Sequence, residues 1–453
     1  MSSKPELPVF KPHEVEAFRT AINKYRCPGA YQAGRWMVSE LNRRPEVLGG
    51  SYPEKVVLRD ITLRTTEQMP GVVLPPSDRL RMLRAIVEAG VQSIQIGVFG
   101  REWSTEQARA DIAEVRRINP ECEIVYGGLR NRGDLEIAAE IGVDNVQVWA
   151  APYVEAAAMF SDVYARAWRG EDWRRELKLP KSVEDQVRRV APLVAAGNEL
   201  GVRVSVGLNQ ISFAREEYVI TYCRAMHEAG AKEIMLYDGG SGMGPEAYAH
   251  MVRLVREHAP NAAIGVHTHN MFDLAVATAL ASAKAGATIL EVSVNGYCSA
   301  SGQADLAATT MALNALYGVE TGIILERLTP LARLAEDVVG YRLAWNHPVT
   351  GREVFNWGGT EFVIQELKVD PLVHWCIEPA LVGNERRWDI TFDSGPYTML
   401  DKLEGLGIDV EPALAETILA RVKECMREVR RVLTDDEVRA IADAVRAEVA
   451  PVR

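Results

Sequence analysis

Two stretches roughly 200 residues apart carry the side chains best suited to holding a metal ion. They are Val57-Leu58-Arg59-Asp60-Ile61-Thr62-Leu63-Arg64 and Val266-His267-Thr268-His269-Asn270. Each reads as a strand that runs straight into polar, chelating residues. His267 and His269 are two apart, so on a strand both rings face the same side. Two imidazoles joined by the carboxylate of Asp60 make a three-ligand site with open positions, the pattern of a catalytic ion. Such ligands accept Mg²⁺, Mn²⁺ or Zn²⁺ alike. Arg59 and Arg64 flank the acid as forks for a carboxylate or a developing enolate oxygen. Thr62, Gln68, Asn295 and Gln303 are neutral hydrogen-bonding groups expected to meet the substrate. Glu67 reads as a base or as a solvated loop acid. Cys298 is a candidate general acid or base, the alternative being an inert buried thiol.

These residues need a scaffold that brings strand ends together. From about residue 55, short β-rich runs alternate with amphipathic helical stretches. The runs are 55–62, 93–98, 122–128, 145–150, 203–208, 233–238, 263–270 and 289–295. Helical stretches lie between them at 78–89, 106–118, 134–141, 184–200, 216–229, 245–258 and 274–285. Several end in turns such as Ala89-Gly90-Val91 and Ala285-Gly286-Ala287, where Gly is the usual helix stop. Strand–helix alternation of this period means parallel βαβ units, and eight of them predict an α/β fold, a (β/α)₈ TIM barrel. An open doubly wound sheet is the alternative. In the barrel the ends of strands one, seven and eight are neighbours, so Asp60, His267 and His269 converge at the C-terminal mouth. The run Gly239-Gly240-Ser241-Gly242-Met243-Gly244 reads as a tight βα loop or as an anion cradle.

Residues 1–50 are expected to form an N-terminal helical arm, with helices at 12–24 and 33–42. The barrel is expected over 51–325, with a helix or lid inserted at 160–178. An irregular linker subdomain, 326–400, should follow a helix at 326–345. A C-terminal, mainly helical subdomain, 401–453, is expected with helices at 413–433 and 435–449. The unassigned outer segments predict a homodimer.

The 453 residues are 47% hydrophobic and carry a net charge of −11, which argues against a nucleic-acid binder. Six scattered cysteines with no CxxC suit a reducing cytoplasm. The first residues lack the basic-then-apolar order of a secretory leader, and no apolar run approaches a membrane span. A cytoplasmic protein acting on a small carboxylic acid, without nucleic acid or membrane, is expected.

The motifs resemble the metal-dependent DRE-TIM family, which includes isopropylmalate, homocitrate and citramalate synthases, hydroxymethylglutaryl-CoA lyase and 4-hydroxy-2-oxovalerate aldolase. The resemblance lies in Arg59-Asp60-Ile61-Thr62-Leu63-Arg64-Thr65-Thr66-Glu67-Gln68, in His267-Thr268-His269-Asn270 and in Val294-Asn295-Gly296. It continues through Glu378-Pro379-Ala380 and Leu403-Glu404-Gly405, which are similar to the segments after the barrel in the synthases. It implies that Asp60, His267 and His269 bind a divalent metal and that Arg59 stabilises an enolate. The implied reaction joins an acyl-CoA to a 2-oxo acid; lyase or aldolase cleavage is the alternative, and transcarboxylation a further one.

Several positions depart from the family pattern. Gln95 stands where a Glu is usual in the second strand, and Val204-Ser205-Val206-Gly207-Leu208-Asn209 lacks the acid expected after strand five. Gly302-Gln303 replaces a Gly-Asn pair, Tyr297-Cys298-Ser299-Ala300 replaces a Gly-Glu-Arg turn, and Met271 replaces an Asp. Asn356-Trp357-Gly358-Gly359 stands where the later subdomain carries a His. Gln95 therefore joins Arg59, Arg64 and Cys298 as a catalytic candidate. The lost acids also admit a catalytically altered barrel acting as a partner subunit.

Overall fold

The computed structural model describes residues 12–24, 26–100, 104–150, 170 and 183–449. The chain divides into two units, residues 41–343 and residues 1–40 with 344–453. The inserted helix or lid expected at 160–178 lies, apart from Gly170, outside the described residues.

The first unit is a closed barrel of eight parallel strands. They are β1 (Val57–Asp60), β2 (Ser93–Val98), β3 (Glu123–Gly127), β4 (Asn145–Ala150), β5 (Arg203–Leu208), β6 (Glu233–Asp238), β7 (Ala263–Thr268) and β8 (Ile289–Val292). Every expected strand is present, in sequence order around the barrel, and β8 closes it by pairing with both β7 and β1. All eight runs are largely buried on both faces, as parallel strands under a shell of helices must be. Helices such as Pro76–Glu88, Thr105–Ile118 and Pro245–His258 form that shell. Ser104 accepts from Gln107 N and Asn131 from Asp134 N, which fixes where two of these helices start.

The lumen departs from the usual packing. Barrel interiors are normally filled by branched apolar side chains. Here Arg59, Glu123, Asn145, Gln147, Ser205, Glu233 and Glu291 are among the residues that fill it. Arg59 on β1 reaches Glu233 on β6, and Gln147 on β4 reaches Glu291 on β8. Those strands are not neighbours, so their side chains meet only through the interior.

In the second unit, helices Pro396–Gly405, Pro412–Val429 and Asp435–Val449 enclose a core that includes Met399, Leu403, Ile418, Val422, Val438 and Ala442. A two-stranded parallel sheet pairs Asn356–Gly359 with Arg387–Ile390. The stretch 33–42 is not the expected helix. Tyr31–Gln32 and Trp36–Met37 form a small antiparallel hairpin, followed by a 3₁₀ turn at Glu40–Arg43. Gly34 at φ +69° makes that turn, and Trp36 is buried. No helix among the described residues is long and apolar enough to cross a membrane.

Candidate metal centre

His267 lies near the C-terminal end of β7, and His269 just beyond it. Their ring centroids are 4.9 Å apart. The third residue beside them is Cys298, on the loop after β8. One ligand atom from each of the three lies within 4.8 Å of the others. His269 Nε2 faces Cys298 Sγ at 3.9 Å. The loop is fixed by backbone bonds. Asn270 N donates to Gly302 O and Gln303 N to Gly296 O. Thr65 Oγ1 donates to Tyr297 O from the end of β1.

His267 is oriented from behind. Its Nδ1 lies 2.8 Å from Glu291 Oε2, and Glu291 stands opposite His267 in the β7–β8 register. Burial alone would raise the Glu291 carboxyl, but His267, Arg59 and Gln147 hold it below its ordinary pKa. An ionised Glu291 accepts, so the proton sits on Nδ1 of His267 and the Nε2 lone pair is free to ligate. Gln147 donates to Glu291 Oε1 at 2.6 Å and accepts from Gln95 Nε2 at 2.7 Å. Gln95 is thus two hydrogen bonds behind Glu291 and acts by positioning. His269 is pushed down to about 3 by burial, by His267 and by Arg64, so it is a neutral imidazole. Its Nδ1 is buried with no hydrogen-bond partner.

Asp60, expected as the third ligand, is not part of this group. Its Oδ1 accepts from Thr62 N at 2.9 Å and its Oδ2 from Thr62 Oγ1 at 2.8 Å. Successive side chains of a strand alternate. Arg59 turns into the lumen, so Asp60 turns away from it, where its charge is felt by Cys122. Burial raises the Asp60 carboxyl to about 7 against the hydrogen bonds from Thr62. Thr62 also accepts from Val294 N at 2.8 Å, tying the end of β1 to the loop after β8.

Arg59, expected at the mouth, lies below it. It is fully buried, with Nη1 2.6 Å from Glu233, Nη2 2.9 Å from Glu123 and Nε 2.9 Å from Ser93 Oγ. Burial works against its charge, but Glu233 and Glu123 outweigh it and keep the pKa well above the ordinary value. The arginine at the mouth is Arg64, half-buried after β1. It stands 5.6 Å over the Trp149 ring, and its charge reaches His269, Cys298 and Tyr237. Gln68 accepts from Arg64 at 3.1 Å.

Asn295 adopts φ +60° and donates to Ala332 O at 3.0 Å. Gln303 is buried, bridges His269 through the backbone, and leaves both amide atoms without a partner. The glycine-rich loop after β6 is braced by its own neighbours. Gly242 N donates to Ser212 Oγ and Met243 N to Asp238 Oδ2, which leaves fewer amides for an anion. Sequence reasoning passed over Glu291 and Tyr237. Tyr237 has its ring 5.3 Å from His267 and a buried hydroxyl without a partner. An acid inside the otherwise apolar run Ile289–Val292 was the signal for Glu291.

The donor set suits a divalent ion: two imidazoles, a thiol, and a carboxylate braced behind one imidazole. The family model described as HMGL-like matches residues 55–335. The chain belongs to the HMGL-like family. Among relatives of this HMGL-like chain is a Methanopyrus kandleri protein named (R)-citramalate synthase, 30% identical over 87% of this chain and 73% of its own. Others from that organism are a 2-isopropylmalate synthase, 32% identical over 82% and 70%, and a homocitrate synthase, 29% identical over 82% and 88%. Among solved structures, the hydroxymethylglutaryl-CoA lyase of Pseudomonas aeruginosa superposes with a TM-score of 0.53 at 22% identity, over 64% of this chain and 95% of that one. That likeness speaks for the shared HMGL-like barrel. The citramalate synthase match spans 394 residues, more than the family-model region holds, so the relatives share chain outside it.

Proposed function

We propose that the protein is a divalent-metal-dependent enzyme that joins an acyl-CoA to a 2-oxo acid. Carbon–carbon bond cleavage of the lyase kind is the second reading, favoured by a thiol on the loop after β8. The observation that carries the proposal is the His267–His269–Cys298 group at the barrel mouth with Arg64 beside it. The synthase reading is preferred because the synthase relatives match over four-fifths of the chain or more.

His267, His269 and Cys298 would hold the ion. When bound, it supplies Lewis-acid polarisation of a 2-oxo acid's carbonyl. Arg64 supplies a planar pair of donors for the acid's carboxylate. Tyr237 keeps its proton at neutral pH because burial raises its pKa, so it donates to an oxygen that gains charge. In the forward reaction the acyl carbon next to the thioester loses a proton to solvent and attacks the carbonyl carbon, whose oxygen takes up a proton to become the hydroxyl. Water then cleaves the thioester and releases the free thiol of coenzyme A.

The test is calorimetry on metal-stripped protein, titrated with Zn²⁺ or Mn²⁺ and then with pyruvate, oxaloacetate and 2-oxoisovalerate. One acid should bind only in the presence of metal. With that acid, acetyl-CoA should release free thiol, measured colorimetrically. Metal binding without any 2-oxo acid binding would reject the substrate class. Acid binding without thiol release from acyl-CoA would turn the reading to cleavage.

A further inference from the structure

We propose that Cys298 is itself a ligand, so that the site takes a thiolate-accepting ion of the zinc class in preference to magnesium or manganese. This rests on the metal reading above. Three observations carry it.

The first is distance. A tetrahedral ion with metal–nitrogen and metal–sulfur bonds of about 2.05 and 2.3 Å places the two donors about 3.6 Å apart. His269 Nε2 and Cys298 Sγ are 3.9 Å apart, a few tenths from that spacing. All three donors lie within 4.8 Å of one another.

The second is composition. Among the described residues the group contains no carboxylate. Asp60 lies outside the group, each of its oxygens accepting one bond from Thr62, and Glu291 braces His267 from behind. Hard ions such as magnesium are held by carboxylate-rich oxygen sets, and this group holds no carboxylate; imidazole and thiolate suit zinc.

The third is preorganisation. The loop that carries Cys298 is clamped rather than draped. Gly302 has φ +78°, and a Cβ there would come within 2.5 Å of Gly296 O. The same residue accepts from Asn270 N, one position past His269. The thiol is therefore held beside the imidazole by backbone bonds, as a ligand must be before the ion arrives.

Cobalt(II) tests this without any turnover. The full-length protein is stripped and loaded with Co²⁺, and near-ultraviolet and visible spectra are taken of the parent, Cys298→Ser and Cys298→Ala. Circular dichroism confirms that both variants fold. The parent should show a thiolate-to-cobalt charge-transfer band and the intense visible bands of a tetrahedral ion. Both variants should lose the charge-transfer band while still binding cobalt through His267 and His269. In competition, zinc should displace manganese from the parent, and Cys298→Ser should weaken zinc binding by about 100-fold or more. Loss of a group merely bracing a ligand already costs about 10–100-fold. If the parent binds cobalt without the band, or Cys298→Ser keeps its zinc affinity within about twofold, Cys298 is not a ligand and the metal reading survives on the histidines. If no ion binds the parent at all, both fall.

Discussion

Arg59→Leu tests whether Arg59, expected from the sequence to act at the site, is instead the cation that holds the lumen together. Arg59 has no exposed surface and makes charge-assisted bonds to Glu233 and Glu123, with Glu291 at 4.0 Å. Leucine keeps much of the volume and removes the cation. Two unit charges 4 Å apart interact by about 4 kcal/mol at an effective dielectric near 20. Removing one partner of a buried pair costs about 3–5 kcal/mol in practice. A stranded carboxyl escapes by taking up a proton. From an ordinary value of 4.5, that costs about 3.4 kcal/mol at pH 7. Both routes give a loss of about 3–5 kcal/mol.

The pH dependence then inverts. In the parent, burial would push the Glu123 carboxyl up, but Arg59, Ser93 and Arg203 hold it down at about 2. Its contribution is present above pH 4.5 and is lost as pH falls toward 2. In the variant, the stranded carboxyl titrates above 4.5 and binds more protons folded than unfolded. The variant's deficit should therefore shrink as pH falls from 7.5 to 5.5, by up to about 1.4 kcal/mol per unit. Guanidinium unfolding followed by circular dichroism at three pH values in that range measures both effects. A deficit under about 1 kcal/mol, or one that does not change with pH, would refute the carboxylate-cage argument.

The other predictions concern the mouth. Arg64→Ala should leave stability within about 0.5 kcal/mol, because the side chain is half-buried, yet weaken 2-oxo acid binding by about tenfold or more, read by calorimetry. Glu291→Gln should lower metal affinity by about 10–100-fold, since it removes the charge that fixes the His267 tautomer; competition with a chromogenic chelator measures it. Gln147→Leu should cost about 1–3 kcal/mol in chemical unfolding, because it strips Glu291 Oε1 of its donor and Gln95 Nε2 of its acceptor. Gly302→Ala should lower metal affinity more than global stability, since a Cβ at φ +78° meets Gly296 O and displaces the Cys298 loop; metal content and unfolding midpoint together decide it.

The barrel was legible because each of its strands is a short apolar run set between helical stretches that carry stop signals. The histidine pair was legible because a two-residue spacing on a strand admits one geometry. At Arg59 and Asp60 the expectation used their place at the strand end and not the direction of each side chain. A strand alternates its side chains, so the two cannot share the lumen. Arg64, expected as the second fork, lies beyond β1 with its charge reaching His269 and Cys298. Glu291 was missed because its meaning comes from register: it stands opposite Arg59 on one side and His267 on the other, a relation only closure creates. The helix expected at 33–42 gives way in part to the hairpin Tyr31–Met37, whose strands are two residues long, too short to show alternation.

The polar lumen calls for an explanation that stability does not provide. Apolar residues of similar volume often fill such a space at equal or better stability than buried ion pairs. The charges here are ordered rather than scattered. Arg203 lies at the start of β5 and pairs with Glu123 at 2.5 Å, Glu123 and Glu233 grip Arg59, and Arg59 lies 4.0 Å from Glu291. The series ends on His267 Nδ1. Each step sets a charged group against the next, and the last places a proton on His267 Nδ1 facing Glu291. A network serving only to specify the fold would have no reason to end on an imidazole at the barrel mouth. On the proposed metal reading, the lumen is the support of the site: charge buried in the barrel ends on Glu291, which places a proton on His267 Nδ1 and would leave Nε2 to face an ion at the mouth.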